Sequence, residues 1–136
     1  MIMPQDMRND LKKVIETRLK LLLEACYSYS INEDQEMIEL IVREEEKSIS
    51  ARIVIRLYFI DNEIHISNIT IPNAWRGKRI GMTLINDIFC VSKQYSCYLF
   101  ITDMVESFYK YMLDIGATSI DQDTVQITPD TQLIKN

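Results

Sequence analysis

The stretch that decides the fold is Ser48 to Pro72, S-I-S-A-R-I-V-I-R-L-Y-F-I-D-N-E-I-H-I-S-N-I-T-I-P. From Ser48 to Ile60 the odd positions Ile49, Ala51, Ile53, Ile55, Leu57 and Phe59 are apolar, while Ser48, Ser50, Arg52 and Arg56 hold even places. A period of two is that of a pleated strand with one buried face. Asp61-Asn62 then reads as a two-residue hairpin turn, because both residues tolerate the positive φ such turns demand. The returning strand, Glu63 to Pro72, is therefore antiparallel to the first. Its parity slips: Ile64 and Ile66 are apolar at even positions, Ile69 and Ile71 at odd ones. A bulge near Ser67 and Asn68 keeps all four isoleucines on one face. A strand covered on both faces is the alternative.

Outward from this hairpin the pattern alternates between helix and strand. Upstream, Leu11, Val14, Ile15, Leu19, Leu22 and Leu23 predict a core-packing helix over Met7 to Ser28, and Met37 to Arg43 predicts a first strand. Downstream, Ile80, Leu84, Ile85, Ile88 and Phe89 share one helical face that runs to about Lys93. Cys97 to Thr102 is a short buried strand, and Met104 to Ile115 a helix stopped by Gly116. Thr124 to Thr128 closes as a strand before Pro129. The order predicts an α+β fold, a mixed sheet with helices on its faces, within a core spanning residues 37–128.

Composition sets the bounds. With 136 residues, 47% hydrophobic and 26% charged, the chain is expected to form a single domain, 1–136. The longest apolar runs, such as Leu21 to Leu23, fall far short of the roughly 20 residues a membrane helix needs, so no membrane partner is expected. Three cysteines without a CxxC pair and the single histidine His65 make no zinc set, and they suit a reduced, cytoplasmic chain. A net charge of −5 argues against nucleic acid as a partner.

Charge is uneven, however. Seven acids crowd Glu33 to Lys47, whereas Asn73 to Asn86 carries Arg76, Lys78 and Arg79 and no acid, all three cations lying in the turn before a helix, together with Gly77 and Gly81. The first-turn amides of a helix have no partner within it, and the aligned peptide dipoles place partial positive charge there. Such a turn suits a small anion. A solvated basic turn is the plainer reading.

At these residues the sequence resembles the GNAT superfamily of acyl-CoA-dependent N-acyltransferases. The signature [Q/R]-x-x-G-x-[G/A] is met by Arg76 and Gly81, with Arg79 standing where the first glycine usually falls. The resemblance covers about Ile53 to Thr128. It implies a three-layer αβα fold around a mixed, mostly antiparallel sheet, here with a shortened or rearranged N-terminal half. It implies acetyl-CoA as co-substrate, without metal. The amides of Arg76, Gly77, Lys78, Arg79, Ile80, Gly81 and Met82 would hold the pyrophosphate, and the backbone of Ile69 and Ile71 would pair with the pantetheine arm. The acceptor would be a small-molecule or protein amine, attacking the thioester directly, and the protein a monomer or homodimer.

The family often uses a tyrosine early in the last helix as general acid, in a pattern like F-Y-x-x-x-G-F. Phe108-Tyr109 is followed by Gly116 at a distance of seven, so Tyr109, Tyr111 or neither takes that role. Presenting a lysine-like amine neutral at pH 7 costs about 4.6 kcal/mol, which a base must help meet. Candidates are His65, Asp103 and Glu106. Asp103 also reads as the N-cap of the following helix, with Glu106 completing a capping box. Trp75 covers the ligand or folds back on the core. Two other readings compete: a catalytically silent domain that holds CoA or a protein partner, and a basic-loop domain for another phosphate.

Overall fold

The computed structural model describes residues 3–22, 27–44, 52–70 and 79–134. The Ser48–Pro72 hairpin forms as strands β3, Arg52–Ile60, and β4, Glu63–Thr70. Ile60 faces Glu63 across the Asp61-Asn62 turn, where Asp61 takes a φ of 54°. Arg56 pairs with Asn68 and Leu57 with Ile66, so Ser67 is the extra residue of a bulge. The bulge does what the parity slip demands: Ile64 and Ile66 are fully buried, and Ile69, paired with Ile55, packs against the same core. Ile71, Pro72 and Ser48 to Ala51 lie outside the described residues.

The other elements are α1 Gln5–Leu22, β1 Tyr27–Glu33, β2 Met37–Glu44, α2 Ile80–Gln94, β5 Tyr98–Ile101, α3 Glu106–Asp114, β6 Thr118–Asp121 and β7 Thr124–Ile127. They build a seven-stranded sheet in the order β1-β2-β3-β4-β5-β7-β6. β4 and β5 run parallel and the remaining pairs antiparallel. This is an α+β fold on a mixed, mostly antiparallel sheet.

Three expectations are corrected. The helix expected over Met7 to Ser28 ends at Leu22, and Tyr27 to Glu33 forms an edge strand, making Met37 to Glu44 the second strand. The Y-S-Y-S-I alternation fits a strand whose residues pair in full with β2, from Tyr27 opposite Glu44 to Glu33 opposite Ile38. β6 was not expected. Its four residues are all exposed, so no buried period marks them. The last helix starts at Glu106, not Met104, because the Met104 amide donates to the Asp123 carbonyl at 3.1 Å. A helix, α1, precedes the first described strand.

One hydrophobic cluster joins these elements. α1 contributes Met7, Leu11, Ile15 and Leu19, one per turn, and α2 contributes Ile80, Leu84, Ile85 and Ile88. The two helices pack together, clamped by a two-pronged Arg18–Asp87 ion pair at 2.7 and 3.1 Å and by the Tyr95 hydroxyl donating to Asp10 at 2.5 Å. Arg8, only 5% exposed, donates to the carbonyls of Gln35 and Met37 and so pins α1 to the β1–β2 turn.

Candidate active site

β4 and β5 stay paired only from Glu63 opposite Tyr98 to Ile66 opposite Ile101, with one further bond from the Thr102 amide to the Ile66 carbonyl at 2.9 Å. β4 then runs on to Thr70, while the other chain turns away at Asp103, whose φ is 55°. The strands fork. Ile66 aims its carbonyl at β5, and the extra residue Ser67 shifts the alternation by one. The next N–H and C=O directed away from β3 therefore belong to Ile69. At the fork the Ser67 hydroxyl oxygen is buried and has no hydrogen-bond partner among the described residues. Such a group costs about 1–3 kcal/mol, and sites that a ligand completes carry them.

α2 is the next described element after β4 in the chain. Its N-cap, Arg79, sits in the left-handed region at φ 55°, ψ 30°, so the position where the motif usually has glycine does need a glycine-like conformation. Among the described residues no side chain caps the helix, and its first turn carries no acid. The first intrahelical amide is that of Thr83, bonded to the Arg79 carbonyl at 3.0 Å. The amides of Ile80, Gly81 and Met82 have no acceptor among the described residues. An uncapped, acid-free N-terminus of a 15-residue helix is electrostatically suited to a phosphate. Trp75, Arg76, Gly77 and Lys78 lie outside the described residues, as does Ile71.

A cavity of about 570 Å³ opens next to Arg79, lined by Asn86 of α2, Tyr111 and Ile115 of α3 and the segment 131–134. That segment had no legible role in the sequence. Thr131 and Leu133 are buried, the Gln132 amide donates to the Ile115 carbonyl at 2.7 Å, and the Arg79 guanidinium donates to the Leu133 carbonyl at 3.1 Å. No periodicity betrays four residues held by scattered main-chain bonds and by the Thr131 hydroxyl, which accepts from the Thr128 amide at 3.0 Å.

The two tyrosines separate here. Tyr111 lines the cavity, whereas the Tyr109 hydroxyl is 2.6 Å from the Ser119 Oγ and ties α3 to β6. Asp103 is exposed and caps nothing: the N-cap of α3 is Val105, without a side-chain bond. Glu106 pairs with Lys110 on the surface at 2.9 Å, so the capping box does not form. His65 bonds Glu63 through Nε2 at 2.9 Å and stacks on Phe100, ring centres 5.1 Å apart.

No protein-family model matches the chain. Over 47 residues it is 36% identical to glucosamine 6-phosphate N-acetyltransferase 1 of Dictyostelium discoideum. That stretch is 35% of this chain and 30% of the relative, so the match spans less than a third of the relative's length. Among solved structures, a GNAT-family acetyltransferase from Staphylococcus aureus Mu50 aligns over 90% of this chain and 84% of its own, at 12% identity and TM-score 0.49. The PaiA N-acetyltransferase of Thermoplasma acidophilum, solved with coenzyme A, aligns over 67% and 59%, at 15% identity and TM-score 0.47. The chain is thus similar to acetyltransferases, and the residues that carry its resemblance to the GNAT superfamily include Arg79 and Gly81 at the start of α2.

Proposed function

We propose that this chain is an N-acetyltransferase of GNAT type, folded as a single cytoplasmic domain, which moves an acetyl group from acetyl-CoA to a primary amine by direct attack. The observation that supports this most is the left-handed Arg79 at the start of α2, in a fold whose strands β4 and β5 part after Ile66. When bound, acetyl-CoA supplies an acyl group activated as a thioester.

The residues present fit that co-substrate. The amides of Ile80, Gly81 and Met82, with the preceding loop of Arg76, Gly77 and Lys78, would take the pyrophosphate, since charge-assisted bonds to backbone N–H are stronger than neutral ones. The Ile69 main chain would offer its free edge to an extended amide arm, as one more strand would. Of the two candidate acids, Tyr111 is placed at the cavity, and Tyr109 is occupied by Ser119. Asp103, at the fork's rim, is free to meet a cationic amine. The acceptor is a small-molecule or protein amine.

Calorimetry with acetyl-CoA tests the reading. Binding that falls at least about a hundredfold in Gly81→Leu supports it, because a branched side chain there blocks the approach of an anion to the amides. No binding by the wild type sinks it. Tyr111→Phe should lower thiol release without changing acetyl-CoA affinity, and Tyr109→Phe should leave the rate within about threefold. The Tyr109–Ser119 bond favours one competing reading, a silent domain; binding without thiol release over a broad amine panel would establish that one instead.

A further inference from the structure

Another cavity, of about 380 Å³, lies against the last turns of α2 and the β5–β7 pair, and the reading above leaves it unused. We infer that it is a binding site for a small apolar monocarboxylate, whose anion is held by Lys93. The inference is independent of the acetyltransferase reading, since no residue given a role in acetyl transfer lines this cavity.

The cavity is not an arm of the site at Arg79. α2 has 15 residues, with Arg79 at its N-cap and Lys93 in its last turn, so the two lie about 20 Å apart at 1.5 Å per residue. β5 separates them as well. Tyr98, its first residue, lines the cavity, whereas the fork opens beyond Ile101, its last.

The chemistry follows from the lining. Leu99 and Ile127 are cross-strand partners, and both belong to the core that α2 completes. With Phe89 they form a buried, apolar floor. Lys93 is exposed at the rim, and its Nζ stands 4.9 Å from the centre of the Phe89 ring, a cation–π contact that keeps the ammonium beside this floor. Among the described residues no carboxylate pairs with Lys93 and no acid lines the cavity, in a chain whose net charge is −5. The Ser96 hydroxyl, also in the lining and without a hydrogen-bond partner among the described residues, can donate a second bond.

These groups select the ligand. One ammonium and one hydroxyl complement the two oxygens of a singly charged carboxylate, whereas a phosphate would keep most of its acceptors unpaired against an apolar floor. Behind the carboxylate, a compact apolar body fits between the floor and Pro129. The volume, about 380 Å³, falls within the range of about 300–1,000 Å³ usual for small-molecule sites.

The test uses the full chain, with backbone amides followed by NMR as benzoate is added, or benzamide, which has nearly the same shape and no charge. Benzoate should give saturable shifts at Lys93, Ser96, Leu99 and Ile127, and saturating acetyl-CoA should leave those shifts in place. Lys93→Gln should weaken benzoate at least about threefold, and benzamide should bind the wild type more weakly than benzoate by the same factor. Lys93→Arg, which keeps the charge, should stay within about twofold of wild type. Shifts that fail to saturate by about 20 mM benzoate, or that are confined to Ile80, Gly81 and Met82, overturn the site. A smaller loss with Lys93→Gln or with benzamide, or a Lys93→Arg protein as weak as Lys93→Gln, overturns recognition of the carboxylate by Lys93. Displacement of benzoate by acetyl-CoA overturns the separation of the two sites.

Discussion

The inner strands β3 and β4 and the outer strand β6 belong to one sheet but are held by different forces. Leu57, Ile64 and Ile66 are 0% exposed, whereas every residue of β6 is exposed and pairs only with β7. Inner strands owe their stability to apolar burial, at about 25 cal/mol per Å², and the outer one to main-chain bonds with β7. Side-chain changes should therefore matter greatly in the first region and little in the second, unless they disturb the backbone.

Four substitutions grade this difference at neutral pH. Ile66→Ala should cost about 2–5 kcal/mol in a denaturant titration, since it empties a fully buried site beneath the fork. Gly116→Ala, in the turn leading to β6, should cost about 1–3 kcal/mol. Its φ is +100°, and an added Cβ would stand 2.8 Å from the Asp130 carbonyl, so here the backbone is the sensitive element. Arg79→Gly should stay within about 1 kcal/mol of wild type, because relief of the left-handed strain offsets the lost bond to Leu133 and the greater freedom of the unfolded chain. Ile120→Thr on β6 should change stability by less than about 0.5 kcal/mol. A loss above 1 kcal/mol there would break the contrast.

A fifth comparison needs alkaline pH. The Tyr95 phenol is pushed up to about 12, first by its hydrogen bond to Asp10 and then by burial. A raised folded value means that the stability contributed is whole below the ordinary tyrosine pKa, near 10, and is lost as pH climbs through about 12. Tyr95→Phe should flatten that alkaline decline in thermal melts between about pH 9 and 12 and leave the shape of the curve below pH 9 unchanged.

The same contrast explains what could be read from residues alone. One-sided burial writes a period into the sequence, and the hairpin, the Ser67 bulge and α2 all followed from it. β1 and β6 carry little such period, because an edge strand needs backbone partners more than apolar side chains. Of the site, the left-handed position at Arg79 was legible because a motif normally has glycine there. The roof over the cavity, from Thr131 to Ile134, was not: apart from the Thr131 hydroxyl, its own groups bond through the main chain, which every residue possesses. Asp103 misled because an aspartate directly before a helical pattern, with Glu106 three residues on, resembles a cap, whereas the competing bond from Met104 to Asp123 is a long-range fact.

The extra residue in β4 has a wider consequence. Ser67 acts as a phase converter, letting one strand stay in step with the oily interior while presenting a different edge before and after it. Loss of that single residue would exchange the inward and outward surfaces of everything from Asn68 to the loop ahead of α2. The strand's length is therefore a locked quantity, far less tolerant of insertion or deletion than its composition is of substitution.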